Sequence, residues 1–573
     1  SFKNNTSRKE VVIAGANNGI LHAFDASNGD ELWGYIPPNI LGNLSTTITS
    51  KSNKTIPIYG VDGSPVVKDI FYDDTPNDGS NNPRWRTVLI SGLGAGGEGF
   101  FALDITDTNN PRHLFAIEND TVNQQVKHWG ENETLNTYSY SLGNTIASNV
   151  DYSKLGEAWS TPRIIKIKVD NKDRWVAVLG GGYNGASNPD VGSAVFIVDF
   201  ENEGKLLKKI DITDNQNTSH NYVFGLPKCA GWASCIQSSF TREVPIPLSQ
   251  FGLNSYNFKF YKIIIRGLGS SFSITQDESG STARNIKLRL TSPLANAATV
   301  TLSVIRKTDI VNSIPSDLVV VTANKTDKAT YDGALIYAAD LEGKITKINL
   351  TENFSLNNGM ISKTISTTTL FDSQGTTDNG RYIFKTPETT VDRDGKLWLY
   401  FGTGNYEKLQ EQSSSTQNRL FGIKDEDFPE YKSTSLKTYS NCADSNSCPN
   451  STQIGWYVNL RNAQKLSGSP TIDKDRVYFP IYEPTSQINA CKTGKAIFTA
   501  YSSKCGAALQ TVEVGTGVLS KVVKNGNNLY IGISGKAKTN ATGFTNKDNL
   551  LSTTSKAIAS GKAVQLEYWK ENY

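Results

Sequence analysis

The sequence predicts an all-β protein, a β-propeller of about seven blades, with six as the alternative count. Three observations carry that expectation. Short apolar strands alternate with turn-forming residues, the same strand groups recur along the chain, and Ser/Thr-Pro pairs introduce several of the groups.

Residues 11–36 (VVIAGANNGILHAFDASNGDELWGYI) hold the pattern in its clearest form. Residues 11–14 are β-branched and apolar. Asn17-Asn18-Gly19 tolerates positive φ before a second strand at 20–25, and Ser27-Asn28-Gly29 turns the chain into a third at 31–36.

Looser copies follow. Strands at 85–91, 100–105 and 113–117 form a second group, and those at 175–182, 194–200 and 206–212 a third. The series continues with 334–340 and 345–350, with 397–404 and 420–424, and with 476–482 and 496–501. A last group begins at 528–534.

Ser64-Pro65, Thr161-Pro162, Thr386-Pro387 and Ser469-Pro470 each feed a short strand. Proline suits that position, because the first residue of a strand needs no ladder donor. Spacings of about 70 to 100 residues exceed the usual propeller period of about 40 to 50, so long loops must separate some strands.

One region interrupts the repeat. Residues 223–315 carry their own alternating strands at 257–265, 271–275, 285–290 and 298–305, which reads as a small β-module inserted between propeller blades. The expected organisation is therefore 1–222 as blades one to three, 223–315 as the insertion, and 316–573 as the remaining blades and ring closure. The strand-like 565–570 (QLEYWK) is expected to close the ring beside the N-terminal blade, since an open ring exposes sheet edges.

Aromatic residues make up 10% of the 573-residue chain, and Trp33, Trp85, Trp175, Trp398 and Trp456 fall in or beside expected strands. They are expected to pack between blades, where each fully buried large side chain contributes about 1.5 to 3 kcal/mol.

Charged residues are 20% of the chain and nearly balanced, with a net charge of +3. No strong field draws this chain to nucleic acid or an acidic lipid surface. No apolar run approaches the roughly 20 residues of a membrane helix. The chain opens Ser1-Phe2-Lys3-Asn4 without a signal peptide, so it is read as cytosolic or as a processed or truncated piece of an exported protein.

The six cysteines fall as Cys229/Cys235, Cys442/Cys448 and Cys491/Cys505, and pairing within each set is the simplest expectation. Disulfides imply an oxidising compartment. Zinc prefers Cys-x2-4-Cys spacing with a histidine partner, and neither the gaps nor His22, His113, His128 and His220 supply it.

Enzymatic motifs fare poorly. Residues 94–99 (GAGGEG) precede a strand instead of a helix and lack the Lys-Ser/Thr of a phosphate-binding loop, so they read as a close-packed turn. No Gly-x-Ser-x-Gly elbow occurs. Residues 392–395 (DRDG) resemble the start of an EF-hand but lack its later acceptors, and a hairpin turn is expected there. The Ser/Thr/Asn-rich stretches 407–417 and 433–453 read as solvated loops.

Several motifs together resemble one family. GANNGILHAFD (15–25) with GDE (29–31) and YIP (35–37), YGVDGSP (59–65), GLGAGGEGFFALD (92–104), GGGYN (180–184), YAADLEG (337–343) and YFGTG (400–404) are similar, in order, to the C-terminal propeller of PilY/PilC proteins, type IV pilus biogenesis factors and tip-associated adhesins.

The resemblance implies a non-catalytic pilus assembly factor and adhesin. It would promote pilus extension or oppose retraction, and serve surface attachment, twitching motility or DNA uptake. Minor pilins and the pilus fibre are the implied partners, with a host or abiotic surface as receptor. The implied location is the periplasm, outer membrane or pilus tip of a Gram-negative bacterium. The family's larger N-terminal region, often resembling a von Willebrand factor A domain, has no counterpart here.

Many members carry a calcium loop shortly before the motif matched by 337–343. The corresponding residues 322–333 (TANKTDKATYDG) offer only Asn324, Asp327 and Asp332, irregularly spaced and beside two lysines that oppose a divalent cation. Calcium is the one cofactor raised, on an eroded loop. The turn at 26–33 (ASNGDELW) also resembles quinoprotein dehydrogenase repeats, so an envelope quinoprotein-type enzyme, or an outer-membrane assembly scaffold on similar blades, is the alternative.

Overall fold

A computed structural model describes residues 8–42, 59–73, 83–140, 146–183, 191–212, 220–229, 231–233, 243–247, 261–266, 272–276, 285–306, 310, 312–322, 332–433, 435–445, 447–485, 493–547 and 549–555. Strands dominate, and helical pieces such as Pro38–Ile40, Ser148–Val150 and Phe200–Asn202 are single 3-10 turns. Seven sheets among the described residues form the blades of a propeller.

Blade 1 holds Val11–Gly15, Leu21–Asp25 and Glu31–Tyr35, paired antiparallel in that order. Blade 2 runs Val66–Tyr72, Arg84–Gly92, Gly99–Asp104 and Arg112–Asp120, and then adds Gln125–Trp129 and Leu135–Ser139. Blade 3 contains Arg163–Val169, Lys172–Gly180, Ala194–Asp199 and Leu206–Asp211.

Blade 4 contains Val319–Thr322, Ala334–Ala339, Lys344–Leu350 and Thr367–Asp372. Blade 5 has Glu388–Val391, Leu397–Gly402, Arg419–Asp425 and Gly455–Asn459, with Cys442–Asp444 added in parallel. Blade 6 is built on Arg476–Glu483, Lys495–Ser502 and Ala508–Thr516, with Lys465–Leu466 and Thr471–Asp473 both pairing the first of these. Blade 7 joins Val523–Asn525, Asn528–Gly532, Leu550–Thr554 and Thr545–Lys547.

Strand periodicity explains how the blades stack. Successive side chains of a strand face opposite sides. In blade 3, Ala177 and Leu179 meet Ile90 and Phe100 of blade 2, while their neighbours Val176 and Val178 meet Ile336 and Ile348 of blade 4. The next strand repeats this, with Phe196 and Val198 on one side and Val195 and Ile197 on the other. Both faces are apolar, so these strands read as continuous hydrophobic runs. Six such clusters join blades 1 to 2 through 6 to 7.

The expected tryptophan roles hold with one correction. Trp456 is fully buried between blades 5 and 6, and Trp33, Trp175 and Trp398 pack partly buried against neighbouring clusters. Trp85 does not: it is 46% exposed and packs on the similarly exposed Phe71, 5.5 Å between ring centroids. Trp85 pairs with Phe71 near the end of its strand, where both side chains stay exposed. The proposed closing strand at 565–570 lies outside the described residues.

Residues Gln216–Asp309 form a compact unit apart from the propeller, which takes in Ser1–Asn215 and Ile310–Tyr573. Among its described residues are two three-stranded sheets. One orders His220–Leu226, Ala298–Arg306 and Tyr261–Arg266; the other orders Glu243–Pro247, Asn285–Leu290 and Phe272–Gln276. Leu226, Cys229, Leu288, Leu290, Leu294 and Val300 form its core. Against the expected 223–315, Ile310 and Ile314 pack in the propeller, where Ile314 bridges Gly182.

Candidate functional site

Backbone bonds join blades 1 to 2, 2 to 3, 3 to 4, 5 to 6 and 6 to 7. The turn or loop after one blade's strand bonds the segment that leads into the following blade: Val61 N donates to Ala16 O at 3.0 Å, Ala158 N to Gly97 O at 3.1 Å, and Leu466 N to Thr403 O at 3.2 Å. Gly182 N donates to Ile314 O at 3.1 Å, and Gly517 N to Gly494 O at 2.8 Å. These approaches demand small residues. A Cβ on Gly96 would stand 1.7 Å from the Gly60 carbonyl oxygen, which is why 94–99 is a close-packed turn and no phosphate cradle.

The Ser/Thr-Pro pairs therefore converge. Ser64, Thr161, Thr386 and Ser469, from the lead-ins of blades 2, 3, 5 and 6, line one cavity of about 400 Å³ together with Ser316 and Asp317 of blade 4. Side chains tie neighbouring lead-ins around it. Thr161 N donates to Asp317 Oδ1 at 2.9 Å, and Asp317 N donates to Thr386 Oγ1 at 3.1 Å.

The cavity has an aromatic wall and one cation. Trp159, Phe384 and Tyr406 line it. Behind them Trp159 stacks obliquely on Tyr183 with 4.7 Å between centroids, and Tyr183 hydrogen-bonds Glu407. Trp159 Nε1 donates to Glu157 Oε2 at 3.0 Å. Lys385 Nζ lies over the Tyr406 ring, 3.3 Å from its centroid. Burial draws the Lys385 amine down to about 8.

Sequence reading missed Lys385, yet a signal was present. The residue before the Ser/Thr-Pro pair is Gly63, Ser160 and Gly468 in three lead-ins, and Lys385 in the fourth. A long cation at a position that otherwise takes glycine or serine is a departure from the repeat.

A second lysine organises the loop at 407–417. Lys465 Nζ donates to the carbonyls of Lys408, Leu409 and Glu411, so that stretch is held to the blade 6 lead-in instead of waving as a spacer. Near blade 4, Asn312 Nδ2 donates to Asp340 Oδ2 at 2.5 Å and Lys344 pairs with Glu342. Burial and the Glu342 charge push the Asp340 carboxyl well above its ordinary range.

The cysteines require a correction. Cys448 bonds Cys505, 57 residues on, and Cys442 is a buried free thiol, so the pairs Cys442/Cys448 and Cys491/Cys505 do not form. Cys448 lies in a loop of blade 5 and Cys505 in the hairpin between Lys495–Ser502 and Ala508–Thr516 of blade 6. Spatial adjacency of blades outranks proximity in sequence. Burial pushes the Cys442 thiol up to about 12, which leaves it inert. Cys229 is disulfide-bonded, while Cys235 and Cys491 lie outside the described residues.

Of the residues suggested for calcium, Asp332 alone falls among the described residues. Asn324 and Asp327 lie outside the described residues, and Asp332 sits exposed just before Ala334–Ala339. Its charge acts on Lys168 of blade 3. Among the described residues no group of three or more His, Cys, Asp or Glu is placed to hold a metal. At 392–395 the carboxylate serves the turn: Asp392 Oδ1 accepts from Asp394 N and Lys396 N, and Oδ2 from Trp398 Nε1.

Comparison with known proteins gives consistent findings. Residues 2–221 match the family model described as the PilY1 beta-propeller domain. The type IV pilus biogenesis factor PilY1 of Pseudomonas aeruginosa (strain PAK) is 29% identical over 207 residues, which is 36% of this chain and 14% of that protein. A PilY1 homolog of Xylella fastidiosa is 35% identical over 153 residues, 26% of this chain and 12% of the homolog. The matched region is thus a small part of these relatives. The crystal structure of the Pseudomonas aeruginosa PilY1 C-terminal domain covers 93% of both chains with a TM-score of 0.50 and 18% identity, a likeness of fold.

Proposed function

We propose, from the premise that this chain carries the β-propeller of the PilY1 family, that it acts as a type IV pilus biogenesis factor. The match of residues 2–221 to that family's propeller carries the reading. Its work is binding, not catalysis: a rigid ring presents loops and an inserted unit to pilus components, and function on such scaffolds sits in those outgrowths. Minor pilins at the fibre tip are the partners, and the protein is exported to the envelope of a Gram-negative bacterium. There it promotes extension or opposes retraction.

The compact unit Gln216–Asp309 is the surface-recognition element in this reading. The division supports it, because that unit has its own core of Leu226, Leu288, Leu290 and Val300 and can vary without disturbing blade stacking.

Deleting the coding region should remove surface pili, and disabling retraction should restore them. Excising 216–309 from the full protein should then leave piliation intact and reduce attachment. Unchanged piliation after deletion sinks the assembly role; unchanged attachment after excision sinks the assignment of recognition to the insertion.

A further inference from the structure

The open cleft where the lead-ins of five blades meet has the size of a small-molecule site. At about 400 Å³ it falls in the range of roughly 300 to 1,000 Å³ typical of ligand pockets. Such sites combine apolar walls with a few polar anchors, and here Trp159, Phe384 and Tyr406 supply rings while Lys385 supplies charge.

Lys385 is the informative group. Among the described residues its ammonium has no carboxylate or carbonyl partner, only the face of Tyr406. Lys385 is half-buried, so its ammonium is partly desolvated, and a bound anion would offset that cost. The carboxylates nearby do not serve. Asp317 is engaged by Thr161 N and Arg163, and Asp62 stands exposed at the cavity's edge.

We propose that this cavity binds a small aromatic carboxylate, its carboxylate paired with Lys385 and its ring held among Trp159, Phe384 and Tyr406. Lys385 is the one cation among the described lining residues and is set against Asp62 and Asp317, a balance that tolerates a monoanion held at Lys385 but opposes a phosphate dianion. Ser64, Thr161 and Ser469 place hydroxyls on the same cavity, able to donate to a carboxylate oxygen. The assignment is independent of the pilus reading, because it concerns what fills the ring and not what the protein assembles.

The titratable groups facing the cavity are Tyr59, Asp62, Asp317, Lys385 and Tyr406. Burial alone lowers the amine, with no charged neighbour contributing. The carboxylate needs the protonated amine, so binding is strong below pH 8 and weakens above it.

Calorimetric titration of the whole chain with phenylacetate tests this. Saturable binding is expected, about tenfold weaker at pH 9 than at pH 7 because the free amine titrates near 8, with 2-phenylethanol and acetate each binding far more weakly. Lys385→Met should abolish it. If that variant does not fold, the unaltered protein still supplies a readout: phenylacetate should protect Lys385 from reductive methylation, followed by mass spectrometry. Absence of saturable binding, equal binding of acetate, a Lys385 that methylates equally fast with and without phenylacetate, or binding indifferent to pH and to Lys385 would overturn the proposal.

Discussion

The indole nitrogen of Trp456 in blade 5 donates to the Ser503 carbonyl in blade 6 at 2.7 Å, at a residue that is fully buried. Gly506 closes over the same ring: at φ +63° and with a would-be Cβ 2.5 Å from the indole, no other residue fits. Trp456→Phe keeps most apolar contact but strands the Ser503 carbonyl. A loss of about 1 to 3 kcal/mol is expected by denaturant unfolding. A variant as stable as the parent would mean that the bond contributes nothing.

The Cys448–Cys505 bond fastens the same junction. Closing a loop of 57 residues removes chain entropy worth about 4 kcal/mol in the unfolded state. The double Ser variant should unfold at correspondingly lower denaturant, while Cys442 stays unreactive toward thiol reagents until unfolding. Rapid labelling of Cys442 in the native protein contradicts its burial.

A buried ion pair joins blades 4 and 5. Lys347 Nζ sits 2.6 Å from Asp425 Oδ2, both side chains 1% exposed, and Tyr337 donates to the same oxygen at 2.6 Å. Lys347→Met leaves Asp425 buried without its cation, at a cost of about 3 to 5 kcal/mol. Pairing it with Asp425→Asn should recover much of that loss. Additive losses in the double-mutant cycle would show that the two residues do not act as a pair.

Glu98 sets a pH dependence. Burial pushes its carboxyl up to about 7, with the charges of Glu157 and Asp120 adding to the shift. A folded value above the unfolded value of about 4.3 means that its contribution is complete below that value and lost as pH rises through 7. Thermal melts of the parent should therefore fall between pH 5 and pH 8 relative to Glu98→Gln. Parallel pH profiles for the two proteins would rule out Glu98 as the source.

Blade strands are legible in the sequence because both faces of each inner strand are apolar and their turns use glycine and asparagine. Residues 194–199 show this, with every side chain buried. The edge strands Gln125–Trp129 and Leu135–Ser139 are not: the latter is polar and exposed along nearly its whole length, so no periodicity marks it. The disulfide escapes a reading by proximity because the blade 5 loop and the blade 6 hairpin come together only through ring geometry. For the same reason Ser64, Thr161, Thr386 and Ser469 read as punctuation, although folding gathers them around one cavity.

The lead-ins of blades 3, 4 and 5 are tied in series at this rim, so an outward shift of one loads its neighbours. Pulling on one stretches the links through Thr161, Asp317 and Thr386 in series, and the opening widens with the load. A guest lodged there would act as a keystone, and tension on the ring would register as its faster escape.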